Sequence, residues 1–157
     1  MQAFLSILLL IISSTAIGQS LPKCDIDMTQ ITVSGFSSGA FFATQLLVAY
    51  SSVFSGAGEI AGGPYYCSLG SAIRAVTVCA NQPDEIDVDE LINFAADSAS
   101  KGDIDDLKNL REKRIFMFSG TKDTVVTPGV VSKSLQFFQN FTRKDLIHFE
   151  AAHPAVH

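Results

Sequence analysis

The chain has 157 residues, 47% hydrophobic and 17% charged, enough apolar material for one packed domain and too little length for two. Its formal net charge of −5 gives no electrostatic case for nucleic acid or an anionic lipid surface as a partner. Three cysteines without C-x-x-C spacing argue against a zinc site, and no metal or cofactor is expected.

Ala3 to Ile12 is an apolar run broken only by Ser6, and small residues lead from it to Ala16-Ile17-Gly18. This pattern predicts a secretory signal peptide over residues 1–18, ahead of one domain over 19–157. The run falls short of the roughly 18 apolar residues a membrane span needs, so a secreted, extracellular chain is expected. In an oxidising compartment a disulfide between Cys67 and Cys79 closes a short loop, at a benefit of about 3 kcal/mol. Cys24 is then left over.

Met28 to Ser34 reads as a strand, and Ala40 to Tyr50 as a largely buried helix. Between them Gly35-Phe36-Ser37-Ser38-Gly39 fits G-x-S-x-G, the turn that projects a serine hydroxyl from a strand end. The helix start behind it favours the negative charge of acyl transfer, which makes Ser37 the candidate nucleophile and the N–H of Ser38 the candidate oxyanion donor. Gly56 to Ile60 is a second strand, broken by Ala61-Gly62-Gly63-Pro64. Tyr65 and Tyr66 follow, suited to a pocket wall or to the core.

Ser68 to Ala80 leans towards helix, and Val88 to Ser98 is a helix with Leu91, Ile92, Phe94 and Ala95 as its buried stripe. Asp103 to Leu110 reads as a further short helix. The cluster Asp103, Asp105, Asp106 lacks the ligand run of a calcium loop and suits a solvated helix start. Arg114 to Ser119 is a continuous apolar strand of the kind buried on both faces. Thr127 and Pro128 suit the N-cap and first turn of a helix running to about Asn140, and Asn140-Phe141-Thr142 is a glycosylation acceptor. Leu146 to Ala151 closes the series as a fourth strand.

Strands alternating with helices predict an α/β protein with a mostly parallel sheet and flanking helices, whose sites gather at the carboxyl ends of the strands. Ser37, Asp123 and the histidines near the end each follow a strand, in the order Ser, Asp, His. A serine hydroxyl needs a base, and the base an orienting acid; Asp123 suits the acid. For the base, His148 lies within a strand, while spacing alone does not separate His153 from His157.

The stretch ITVSGFSSGAFFATQLLVAYSSVFSGAGEIAGGPYYC resembles secreted poly(3-hydroxybutyrate) depolymerases, above all the fungal type. A similar elbow there leads into a Gln-containing helix and an Ala-Gly-Gly-Pro-Tyr-x-Cys segment. Ser119-Gly120-Thr121-Lys122-Asp123-Thr124 is similar to that family's acid loop, and Pro154-Ala155-Val156-His157 to its base segment. The resemblance therefore implies an α/β-hydrolase-like fold and a serine ester hydrolase with Ser37, His157 and Asp123 as triad. Its substrate would be a polyester, an oligomer or a small acyl ester. Relatives continue past that histidine, so the resemblance also implies an incomplete sheet, a missing second oxyanion donor and weakened activity. The rival expectations are a catalytically inactive secreted binding protein and a peptidase of the same fold.

Overall fold

The computed structural model describes residues 22–157, and the expected leader over residues 1–18 lies outside them. Four strands alternate with helices: β1 (Thr32–Phe36), α1 (Ser38–Ala49), β2 (Gly56–Ile60), α2 (Ala72–Val76), α3 (Val78–Asn81), α4 (Val88–Lys101), β3 (Arg114–Phe118), α5 (Pro128–Gln139) and β4 (Ile147–Glu150). All neighbouring strands pair in parallel, in the order β1-β2-β3-β4. This is the α/β arrangement the alternation of elements predicts, with flanking helices and an α/β-hydrolase-like topology.

A sheet that adds every strand on the same side, through right-handed crossovers, carries its crossover helices on one face. Helix α1 packs on β1 and β2, and α5 packs on β3. Between helices and sheet lie Leu47, Val48, Ile115, Met117, Val130, Val131, Phe137 and Phe138, all buried. Each contributes about 1.5–3 kcal/mol by leaving water. The opposite face is not covered by any described residue: Phe36 is 52% exposed and Phe116 43%. The two-sided burial expected for Arg114–Ser119 is thus corrected to one-sided burial, since β3 alternates exposed and buried residues.

Four local expectations shift. The first strand begins at Thr32 rather than Met28, because residues 28–30 turn, with the Asp27 carboxylate accepting from Thr29. The helix expected over Ser68–Ala80 divides into α2 and α3 at Thr77, whose backbone (φ −113°, ψ −82°) is not helical. The helix expected from Asp103 is a 3-10 turn over Leu107–Glu112, because Asp106 caps it by accepting from the Lys108 N–H. Asp105 is engaged by Ser52, whose N–H and hydroxyl both donate to it. Thr127 stands at the N-cap of α5, but its hydroxyl makes no capping bond.

Cys67 and Cys79 form a disulfide, and Cys24 is exposed and free. Asn140 is exposed at the end of α5, while the Thr142 hydroxyl is buried and donates to the Leu110 carbonyl. Tyr65 is a buried core residue. Among the described residues no helix is long and apolar enough to cross a membrane.

Candidate active site

The strand-to-helix turn at Ser37 is tight because two elements meet there without side chains between them. A Cβ on Gly35 would lie 2.2 Å from the Gly39 carbonyl carbon, so only glycine lets β1 approach the first turn of α1. At Gly39 a Cβ would meet nothing within 4 Å, so this second glycine leaves open space instead of relieving a clash. The bend itself falls on Ser37, with φ 56° and ψ −124°. A non-glycine residue there stores about 1–3 kcal/mol of strain, which the surroundings must hold. They do so through the Ser37 N–H, which donates to the Ile60 carbonyl at 2.9 Å, and the Ser37 carbonyl, which accepts from Ala40 at 2.9 Å. The side chain is thereby turned out of the strand end. Ser38 is the first residue of α1, so its N–H has no carbonyl one turn back and points free at the helix start.

Asp123 lies in the loop after β3. Its Oδ1 accepts from the N–H groups of Val125 (2.9 Å) and Val126 (3.0 Å), which leaves Oδ2 directed outward. His157 Nδ1 is 2.8 Å from that Oδ2, and His157 Nε2 is 2.9 Å from Ser37 Oγ. An ionised carboxylate only accepts, so Nδ1 carries the proton and Nε2 is left to accept from the serine hydroxyl. The Asp123 side chain is 2% exposed and the His157 side chain 20%, so the acid is sealed while the ring keeps one edge open.

The segment carrying His157 is laid along the acid loop. The Thr121 N–H donates to the His153 carbonyl and the Lys122 N–H to the Ala155 carbonyl. Gly120 permits this, since a Cβ there would sit 2.2 Å from the Ala155 oxygen. The Phe36 ring, 4.7 Å from the imidazole, closes one side. His153 is exposed and its ring faces Phe118, and His148 stacks on Phe116 on the bare sheet face. Neither approaches Ser37. The roles of Gly120, Phe36 and the two valine N–H groups carry no sequence signal, because each depends on a long-range approach of backbone or ring.

Beside Ser38 opens a cleft of about 380 Å³, walled by Phe41, Phe42, Tyr66, Val76 and the Cys67–Cys79 disulfide. Gln45 of α1 fixes that wall: its Oε1 accepts from the Tyr66 N–H at 3.0 Å and its Nε2 donates to the Phe41 carbonyl. A larger hollow of about 770 Å³ lies on the bare sheet face and contains none of Ser37, Asp123 and His157. No group of histidine, cysteine and acidic side chains among the described residues is arranged to hold a metal ion.

Beside this geometry stand the proteins of known name to which the chain is similar. The chain is 45% identical over 123 residues to a poly(3-hydroxybutyrate) depolymerase of Delftia acidovorans, covering 78% of this chain and 25% of the relative. It is 32% identical over 139 residues to a polyhydroxybutyrate depolymerase of Talaromyces funiculosus, covering 88% and 40%. Over most of its own length the chain is similar to poly(3-hydroxybutyrate) depolymerases. The crystal structure of the PHB depolymerase from Penicillium funiculosum superposes with a TM-score of 0.77 at 29% identity, over 88% of this chain and 42% of that one. A PHB depolymerase complexed with an R3HB trimer matches equally well, with a TM-score of 0.77. Maize acyl-protein thioesterase 2, at 14% identity and a TM-score of 0.53, shares the fold alone. No family model matches the chain. The chain thus spans 25% to 40% of the length of these two sequence relatives.

Proposed function

We propose that this chain carries the catalytic triad of a secreted serine carboxylic-ester hydrolase acting on esters of hydroxy acids. The observation that carries the reading is the continuous bonding of Ser37 Oγ to His157 Nε2 at 2.9 Å and of His157 Nδ1 to Asp123 at 2.8 Å. Ser37 Oγ attacks the ester carbonyl carbon as its proton passes to His157 Nε2. Asp123 holds the ring in the required tautomer and stabilises the imidazolium. The Ser38 N–H, at the positive end of α1, donates to the developing oxyanion. Collapse of the tetrahedral intermediate breaks the ester C–O bond, and His157 returns the proton to the leaving alcohol. Water, deprotonated by the same nitrogen, then releases the acid from Ser37.

The cleft beside Ser38 supports an ester of short, branched acyl units, because its walls are apolar apart from Ser38, Ser68 and Gln45. The named activities of the relatives support the same class. Secretion is proposed on the apolar leader and on the Cys67–Cys79 disulfide, and glycosylation of the exposed Asn140 accompanies it.

The test is labelling of the full chain with a fluorophosphonate, followed by turnover of a 3-hydroxybutyrate oligomer beside a matched peptide. Labelling lost in Ser37→Ala and hydrolysis of the ester alone are expected. A folded chain that labels equally with and without Ser37 would sink the nucleophile assignment.

A further inference from the structure

One titratable group in the interior takes no part in the triad. Glu59 stands on β2, 1% exposed, with its side chain on the helix-covered face. Its Oε2 accepts from the Thr44 hydroxyl of α1 at 3.0 Å and from the Ser134 hydroxyl of α5 at 2.7 Å. Oε1 has no partner. Helix α1 is the one that starts behind Ser37, and α5 is the one that follows the Asp123 loop. The next residue after Glu59, Ile60, accepts from the Ser37 N–H through its carbonyl. A single carboxyl therefore ties together the strand that anchors Ser37 and the two helices that follow Ser37 and Asp123.

We propose that Glu59, held as a neutral carboxylic acid, is a positioning residue that clamps α1 and α5 to β2 and so sets the distance between Ser37 and the Asp123–His157 pair. This rests on the serine-hydrolase reading above. Its surroundings exclude a charge. The Thr44 and Ser134 hydroxyls face it from the two helices, with Ala40 and the backbone of Gly62 beside it. Gly35 and Met117 are its register partners on β1 and β3. Among the described residues no cation compensates it, and burial outweighs the two hydrogen bonds, raising its pKa from 4.5 to about 8. An ionised carboxylate would leave Oε1 charged and bare, whereas a proton there removes most of that cost.

The pH dependence has a fixed sign. The folded chain keeps the Glu59 proton that the unfolded chain releases near 4.5, so this stability is complete below 4.5 and is lost as pH rises through about 8. Above that point the clamp loosens and Ser37 is misplaced relative to its base. One unit above the titration point about a tenth of the molecules stay protonated, so about a tenfold loss of reactivity follows.

The test measures fluorophosphonate labelling rates from about pH 6 to about pH 9, with thermal unfolding alongside, for the wild type, Glu59→Gln and Glu59→Leu. Glu59→Gln, neutral and of the same shape, is expected to label at the wild-type rate near pH 7 and to exceed it about tenfold near pH 9. Its melting temperature is expected to stay flat across the window in which the wild type declines. Glu59→Leu, which fills the space without bonding the hydroxyls, is expected to label slowly throughout. A Glu59→Gln profile parallel to wild type, with labelling still dependent on Ser37, overturns the positioning role alone. No labelling in any form sinks the hydrolase reading, and the positioning role falls with it. In that case a wild-type melting curve that declines with pH while that of Glu59→Gln stays flat still upholds the clamp.

Discussion

Among the described residues two carboxyl groups are buried, and their surroundings differ in kind. Asp123 lies in a loop, where backbone N–H groups are not engaged in a ladder, and two of them turn onto its Oδ1 while the imidazole meets Oδ2. Glu59 lies inside a parallel strand, whose N–H groups are engaged in the ladder, so only side-chain hydroxyls reach it and one oxygen goes without. The lesson concerns donor supply. A loop at the carboxyl edge of a sheet can solvate an anion with its own backbone, and a strand interior cannot. The first environment suits an acid that must stay charged through a reaction; the second suits one that keeps its proton.

The largest effect expected from breaking this contrast is at Asp123. Asp123→Asn keeps the shape but offers a donor where the ring needs an acceptor, so the rate of Ser37 labelling should fall about 10³–10⁴-fold with the circular dichroism spectrum unchanged. A fall of less than about tenfold would mean that His157 is oriented by its backbone segment alone. Next comes the packing around Glu59. A Cβ on Gly62 would lie 2.5 Å from Glu59 Cγ and 2.8 Å from Ala40 Cβ, so Gly62→Ala should destabilise by about 1–3 kcal/mol in urea unfolding. Pairing it with a smaller residue at position 59 sharpens the assignment, because relief of the clash should recover part of the loss. The smallest effect is expected from Ser134→Ala, about 1 kcal/mol at neutral pH. Its hydroxyl draws the pKa of Glu59 down towards the usual carboxylate range, so its removal should move the alkaline loss of stability to higher pH. A move to lower pH would show that the hydroxyl supports the neutral form.

Much of this was legible in the chain, and the reasons are local. The Gly35–Gly39 turn, the parallel α/β alternation and the short loop between Cys67 and Cys79 each depend on residues close in sequence, where turn chemistry and periodicity act directly. Local reading erred where a side chain captured the backbone. Asp27 and Asp106 each accept from an N–H two residues on, and so displaced the start of β1 and of the turn after α4. The bare sheet face was hidden for a different cause. An apolar run such as Arg114–Phe118 records that both faces prefer to avoid water, but says nothing of what lies on either.

By itself the sequence determined the order of strands and helices, the serine turn and the acid loop, because these follow from neighbours a few residues apart. Spacing left His153 and His157 unseparated and the family resemblance favoured His157, which the tertiary structure sets against Asp123; only that structure decided which glycine of the elbow is sterically required, and that a lone glutamate in GAGEI is pinned between two helices. Each of those outcomes turns on atoms a few ångströms apart in space and scores of residues apart in the chain. There the free energy is set by packing and by the supply of hydrogen-bond donors, which no local pattern records.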